Sequence, residues 1–86
     1  MNLKGTIKIK GETQSYGQKG FTKREFIVTT EDKFPQDIKF ELNKDKCDLL
    51  DGFKVGQVVT VDFNLKGSEY QGKHYVNLIA WKIEGN

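Results

Sequence analysis

Two runs of alternating apolar and polar residues constrain the fold of this chain more than any other feature. They meet in the stretch Phe63–Ile83, FNLKGSEYQGKHYVNLIAWKI. A period of two is typical of a β-strand with one buried face. Gly67 and Gly72 bracket the connection between the runs, and glycine tolerates the left-handed backbone of tight turns. The pattern predicts a β-hairpin whose apolar face the rest of the chain must cover. The apolar members are Val59, Val61, Phe63, Leu65, Val76, Leu78 and Ala80.

Three further alternating segments predict strands before this hairpin. They run from Leu3 to about Thr13, from Phe21 to about Thr30 and from Asp37 to Asn43. Gly5 and Gly11 predict a bulge or sharp bend in the first strand, which would let it curl and pair with two neighbours. The positions expected to face the core are Leu3, Ile7, Ile9, Phe26, Val28, Ile38, Phe40 and Leu42.

The period changes between the third and fourth predicted strands, where a short helix is expected. Asp45 suits an N-cap, Asp48 a capping-box partner and Gly52 a C-terminal stop. The apolar stripe of this helix consists of Cys47, Leu49, Leu50 and Phe53. Three strands, a helix and two strands predict an all-β fold, a five-stranded OB-fold Greek-key barrel with one short helix between strands 3 and 4. An SH3-like barrel is the main alternative, but it does not usually carry a helix at that position.

Length and composition fit one small domain over residues 1–86. The single Cys47 cannot form an internal disulfide, and the sequence has no Cys/His cluster for zinc, so we expect no metal and no cofactor. No apolar run approaches the roughly 20 residues of a membrane span, and the N-terminus lacks the apolar block of a signal peptide. We therefore expect a soluble, cytoplasmic protein.

The net charge of +2 is distributed unevenly along the chain. Residues 1–24 hold six Lys or Arg and one acid, a local +5, whereas residues 25–51 hold four bases and eight acids, a local −4. Residues 52–86 come to +1. Such a division predicts a basic face on a near-neutral protein, and a basic face attracts polyanions. Lysines that only solvate strand edges are the alternative.

Four stretches resemble a known family. They are KREFIVTTED (Lys23–Asp32), IKFEL (Ile38–Leu42), DLLDGFKVGQVVTVDFNLKG (Asp48–Gly67) and YVNLIAWKI (Tyr75–Ile83). Together they are similar to small single-domain OB proteins related to bacterial and phage single-strand DNA-binding proteins. The resemblance covers nearly the whole chain and contains no catalytic signature, so it implies a nucleic-acid-binding OB domain and no enzyme.

This chain departs from the well-studied members of that family in two ways. They stack bases on tryptophans in strands 2 and 3, where this chain offers Phe21 and Phe26. They also end in an acidic tail that recruits partners, whereas this sequence stops directly after its last predicted strand. Recruitment of partners through a tail is therefore not expected here.

Basic and aromatic residues interleave where an OB-fold binds its ligand, on strands 2 and 3 and on the loops joining strands 1–2 and 4–5. The predicted nucleic-acid-binding residues are Tyr16, Lys19, Phe21, Lys23, Arg24 and Lys39 on the first part of this surface, and Tyr70, Lys73, His74 and Tyr75 in the 4–5 connection. The cations would neutralise phosphates and the rings would stack on bases. The expected partner is single-stranded DNA, with RNA a further possibility. Packing within the hairpin is the alternative role for the tyrosines, capping of the barrel for Phe21, and a surface hydrogen bond for His74.

A protein-interaction or self-assembly module without nucleic-acid function is the competing hypothesis. Strict alternation places Tyr75, Ile79, Trp81 and Ile83 on one face, a large apolar surface for a small domain. Trp81 is expected to pack under the helix after a bulge, to lie at a subunit interface or to stack on a ligand. A homo-oligomer is expected under either hypothesis. Catalysis has little support, because nucleophilic catalysis needs a base within reach of the nucleophile, and Cys47 lies on the helix's apolar stripe.

Overall fold

The alternating runs form the strands of a β-barrel. The computed structural model describes residues 1–16 and 20–85, except for the side chain of Tyr16. Within these residues the strands are β1 (Asn2–Lys10), β2 (Gln14–Tyr16), β3 (Phe21–Thr30), β4 (Asp37–Asn43), β5 (Val58–Tyr70) and β6 (Lys73–Gly85). A 3₁₀ helix (Lys44–Gly52) joins β4 to β5. No helix in this part of the chain is long and apolar enough to cross a membrane.

The first strand closes the barrel because it pairs with two neighbours, as its glycines predict. Gly5 lies opposite Thr30 of β3 and opposite Val59 of β5, both in antiparallel ladders. β3 continues to β4, β5 pairs with β6, and a parallel contact between Glu41 and Ile79 joins β4 to β6. The ring β1-β3-β4-β6-β5 is the strand order of an OB-fold, and β2 adds a short strand beside β3. The predicted fold class is confirmed.

A bulge in β1 changes which of its residues face the core. The register with β3 shifts between Ile7 and Ile9. Ile7 is therefore buried, whereas Ile9 is half exposed. The prediction that Ile9 faces the core is wrong, because one extra residue in a strand reverses the alternation that follows it. The strand also ends at Lys10 rather than near Thr13.

The barrel interior is filled by aromatic and aliphatic side chains from all five barrel strands. Phe40 stands at its centre, with its ring 5.4 Å from that of Phe26 and 5.1 Å from that of Phe63, measured between centroids. The 3₁₀ helix buries Cys47 and Leu50 against this core, and Leu49 and Phe53 pack on its edge. The predicted apolar stripe is thus confirmed, and it covers one end of the barrel.

The start of the helix differs from the prediction. Asn43, in extended conformation, occupies the N-cap without a side-chain capping bond, and Asp45 lies inside the first turn. The predicted capping box of Asp45 and Asp48 is therefore wrong. The chain enters the helix two residues earlier, directly from the end of β4, through Lys44 at a φ of 53°.

A second bulge lies in β6. Lys82 faces Asp62 of β5, but the next pair is Ala80 with Phe63, so Trp81 is the extra residue. Ala80 and Ile83 are consequently both buried, and Trp81 stays 44% exposed. The predicted apolar face of Tyr75, Ile79, Trp81 and Ile83 is wrong in including Ile83, because the bulge turns that side chain into the core.

Beyond the barrel, β5 and β6 continue as a two-stranded arm, residues 64–78. Its strands pair only with each other, since β1 leaves β5 at Asp62 and β4 meets β6 at Ile79. Gln71 and Gly72, with φ of 53° and 78°, form the tight turn at its tip. The connection is therefore shorter than predicted, and Gly67 lies inside β5 opposite Val76.

Candidate nucleic-acid interface

The outer surface of β3 and β4 carries several of the predicted binding residues. Residues opposite each other on paired strands share a face, and the pairs Lys23–Asn43, Glu25–Glu41 and Ile27–Lys39 alternate with pairs that point into the core. Lys23 and Lys39 therefore lie on one outer face. Phe21, two residues before Lys23 and 39% exposed, extends the same row.

Carboxylates on this outer face neutralise its lysines. The Lys23 Nζ lies 2.9 Å from the Glu41 carboxylate, which is nearly buried, and 3.7 Å from that of Glu25. The Lys39 Nζ lies 3.5 Å from the same Glu25 carboxylate. Two cations and two anions thus form one balanced network. A phosphate that binds here must compete with Glu25 for both lysines.

The arm has two different faces, because its side chains alternate. One face, here called the tyrosine face, carries the cross-strand pairs Lys66–Asn77, Ser68–Tyr75 and Tyr70–Lys73. The other, here called the apolar face, carries Leu65–Leu78, Gly67–Val76 and Glu69–His74. The tyrosine face continues the outer surface of the barrel, since the next pair on it contains Ile79, the partner of Glu41.

The tyrosine face is open and positively charged. Tyr70 is 66% exposed and Tyr75 47% exposed, so both rings are accessible. Within the described residues no carboxylate lies within 4.0 Å of the ammonium group of Lys66 or Lys73. The face therefore combines two accessible rings with two cations that have no acidic partner there.

His74 does not join the tyrosine face. It belongs to the apolar face, opposite Glu69, and its Nε2 lies 3.7 Å from the Glu69 carboxylate. Sequence proximity grouped it with Lys73 and Tyr75, but adjacent strand residues point to opposite sides. The structure therefore separates His74 from the residues with which it was predicted to act.

Arg24 is an internal residue, so the prediction that it lies on the open surface is wrong. It shares the inward alternation of Phe26 and is 9% exposed. Its guanidinium donates to the carbonyl of Gly11 at 2.8 Å, to that of Cys47 at 3.1 Å and to the Asp51 carboxylate at 2.7 Å. The hydrogen bond from Arg24 to the Asp51 carboxylate is the main cause of the lowered pKa of Asp51. Arg24 thus joins the loop after β1 to the 3₁₀ helix.

The remaining candidates lie in the loop between β1 and β3. Lys19 falls outside the described residues. The backbone of Tyr16 pairs with Phe21 in β2, but its side chain also falls outside them. Lys66 was not among the candidates, although its spacing of four from Tyr70 places both on one face of a strand. That spacing was the available signal.

Several solved structures, two of them described as single-stranded DNA-binding proteins, have folds similar to this one. The mitochondrial single-stranded DNA-binding protein Rim1 of S. cerevisiae matches with a TM-score of 0.81 at 10% identity, over 99% of this chain and 91% of that one. The dimeric structure of the N-terminal domain of PriB from Thermoanaerobacter tencongensis matches at 0.72 and 19%, over 100% and 93%. SSBb of Mycobacterium smegmatis matches at 0.68 and 16%, over 100% and 86%. At these identities the likeness establishes the fold, and it confirms the resemblance predicted from the sequence.

Sequence comparison gives a family. Among curated proteins none is significantly similar to this chain. A family model described as a domain of unknown function, DUF3127, matches residues 2–84. Because that match spans nearly every residue, the chain belongs to the DUF3127 family.

Proposed function

We propose that this chain binds single-stranded nucleic acid, DNA in the first place and RNA as well, without sequence preference. It would act as a binding module and not as an enzyme. The observation that carries this proposal is the tyrosine face, where Tyr70 and Tyr75 are exposed beside Lys66 and Lys73. Bases stack on aromatic rings with about 1–3 kcal/mol per base, whatever their sequence, and ammonium groups track the phosphates.

The proposed path of the strand continues from the arm onto the barrel. Ile79 links the tyrosine face to the outer surface of β4 and β3, where Lys39, Lys23 and Phe21 lie in turn. On the barrel surface, phosphates of the strand would displace the Glu25 carboxylate from Lys23 and Lys39. Tyr16 and Lys19 in the first loop remain predictions. The similar solved structures support the proposal, because two of those named above, Rim1 and SSBb, are described as single-stranded DNA-binding proteins.

A homo-oligomer is part of the proposal. One similar structure, the PriB domain, is described as dimeric. A module that only assembles, without nucleic acid, is the second candidate function. It is favoured by the exposed Leu65 and Val76 on the apolar face of the arm.

A salt-dependent titration with a labelled oligothymidine tests nucleic-acid binding. The oligothymidine should be several times longer than the roughly 4–16 nucleotides that one OB-fold covers. For single strands the logarithm of the affinity falls with that of the salt concentration at about −0.7 per phosphate neutralised. We expect a slope of about −1.4 when Lys66 and Lys73 are engaged and about −2.8 when Lys23 and Lys39 join them. Absent affinity, or affinity that ignores salt, contradicts the proposal.

Paired variants test the stacking. Replacing Tyr70 and Tyr75 together by alanine should weaken binding at least about 30-fold, since two stacking platforms of about 1–3 kcal/mol each are lost. Replacing both by phenylalanine keeps the rings and should leave the affinity within about twofold. If the alanine and phenylalanine pairs bind alike, the rings do not contact bases.

A further inference from the structure

The apolar face of the arm extends the interior row of the barrel into solvent. Inside the barrel the pairs Val61–Ile83 and Phe63–Ala80 are buried. The same alternation continues with Leu65–Leu78 and then Gly67–Val76. Leu78 still packs on the core, but Leu65 is 54% exposed and Val76 68% exposed. An isolated two-stranded hairpin is marginally stable in water, so this row needs a cover.

The apolar face carries an exposed side chain next to an open space. Val76 projects beside Gly67, which has no side chain. A Cβ built on Gly67 meets no atom closer than the Tyr75 carbonyl oxygen at 4.0 Å, so the space above it is open. A knob and a notch on one patch satisfy the requirement of a two-fold interface, in which each copy offers the other the same surface.

The charges also allow two copies to meet here. Lys66 and Lys73 point away on the tyrosine face. The apolar face carries one acid, Glu69, which lies 3.7 Å from the imidazole of His74. Two such faces therefore come together without an array of like charges, which would oppose association.

We infer that the apolar face of the arm binds the same face of a second copy of this chain. Val76 of one copy would fill the notch at Gly67 of the other, with Leu65 and Leu78 closing around them. The two tyrosine faces then point away from each other and stay accessible. This inference deepens the homo-oligomer proposed above by naming its interface, and it does not depend on nucleic-acid binding.

Sedimentation equilibrium without nucleic acid tests the interface. We expect wild type to dimerise reversibly below about 100 μM. Val76→Asp should raise the dissociation constant at least about tenfold, because it buries a charge against apolar groups. Val55→Asp is the matched control, since Val55 is a similarly exposed valine in the turn before β5, and it should have no effect. A monomeric wild type, or a dimer that Val76→Asp leaves unchanged, overturns the inference.

A second variant distinguishes the specific packing of Val76 against Gly67 from non-specific hydrophobic association. Gly67→Val adds apolar surface where the monomer has free space, so the monomer should fold, and circular dichroism would verify this. If Val76 of the partner occupies the notch, this variant should dimerise at least about tenfold more weakly. Tighter dimerisation would overturn the proposed fit. Oligothymidine titration of Val76→Asp reports on the proposed function separately, because that side chain lies off the tyrosine face.

Discussion

Arg24 is the residue whose role differs most from its expected one. As a cation near two lysines it was assigned to phosphate binding, but its parity with Phe26 places it inside the barrel. There it supplies hydrogen bonds to two carbonyl groups that belong to different segments, Gly11 and Cys47, and to the Asp51 carboxylate. Alternation alone was enough to predict the inward direction. Charge alone suggested the surface, but a guanidinium can be buried where hydrogen-bond acceptors satisfy it.

The carboxylates of Asp51 and Asp37 should make the fold sensitive to acid. The pKa of Asp51 is lowered, first by the hydrogen bond from Arg24, and that of Asp37 first by the hydrogen bond from Lys8. A carboxyl whose pKa is lower in the folded than in the unfolded state stabilises the fold at any pH above its unfolded pKa, near 3.8. This stabilisation is lost as the pH falls through the pKa of the folded state. We therefore expect the urea concentration at the unfolding midpoint to decrease once the pH is lowered below about 4.

Asp51→Asn isolates the contribution of one carboxylate. This variant should have a lower urea midpoint than wild type at neutral pH and a shallower decline on acidification, because the titrating group is gone. Asp48→Asn, an exposed aspartate of the same helix, is the matched control. Parallel pH profiles for wild type and Asp51→Asn would contradict the account of the Arg24 interactions.

At the scale of elements, β1 depends on a glycine where it passes between its two partner strands. A Cβ on Gly5 would collide with the Thr29 carbonyl oxygen and with the Val28 side chain. Gly5→Ala should therefore destabilise the fold by about 2–4 kcal/mol, since the backbone of β3 must move. Gly52→Ala is the control, because nothing lies within 4 Å of a Cβ there. Urea denaturation of both variants measures the difference, and equal stabilities would contradict the closure of the barrel through β1.

The elements show which parts of the fold the sequence could predict. Period-two patterns predicted the barrel strands, and the break in period predicted the helix, because both depend on local burial. The bulges at Lys8 and Trp81 were not predictable in position, since they arise where strands must bend to meet distant partners. The bulge in β6 alone moved Ile83 into the core and altered the predicted interaction face.

Across the whole molecule, folding cancels the charge segregation of the sequence. Within the described residues, four of the basic residues in 1–24 pair with acids in 25–51, because β1 and β3 lie beside the segments that carry the acids. The pairs are Lys4–Glu31, Lys8–Asp37, Lys23–Glu41 and Arg24–Asp51. The predicted basic face of the N-terminal segment therefore does not form on β3 and β4. The sequence could not indicate this, since cross-strand register depends on long-range pairing. Among the described residues, the candidate-site cations without an acidic partner, Lys66 and Lys73, lie instead on the arm.

This distribution predicts that the arm contributes more to nucleic-acid affinity than the barrel face. Lys73→Ala removes an ammonium group from the tyrosine face, so it should weaken oligothymidine binding by roughly 3- to 10-fold and reduce the salt slope by about 0.7. Lys39→Ala removes a cation that Glu25 already neutralises, so its effect should stay below about twofold. Lys54→Ala, on the turn that precedes β5 and outside the arm, controls for the change in net charge. If Lys39→Ala weakens binding as much as Lys73→Ala, phosphates displace Glu25 readily, and the strand is held on the barrel as firmly as on the arm.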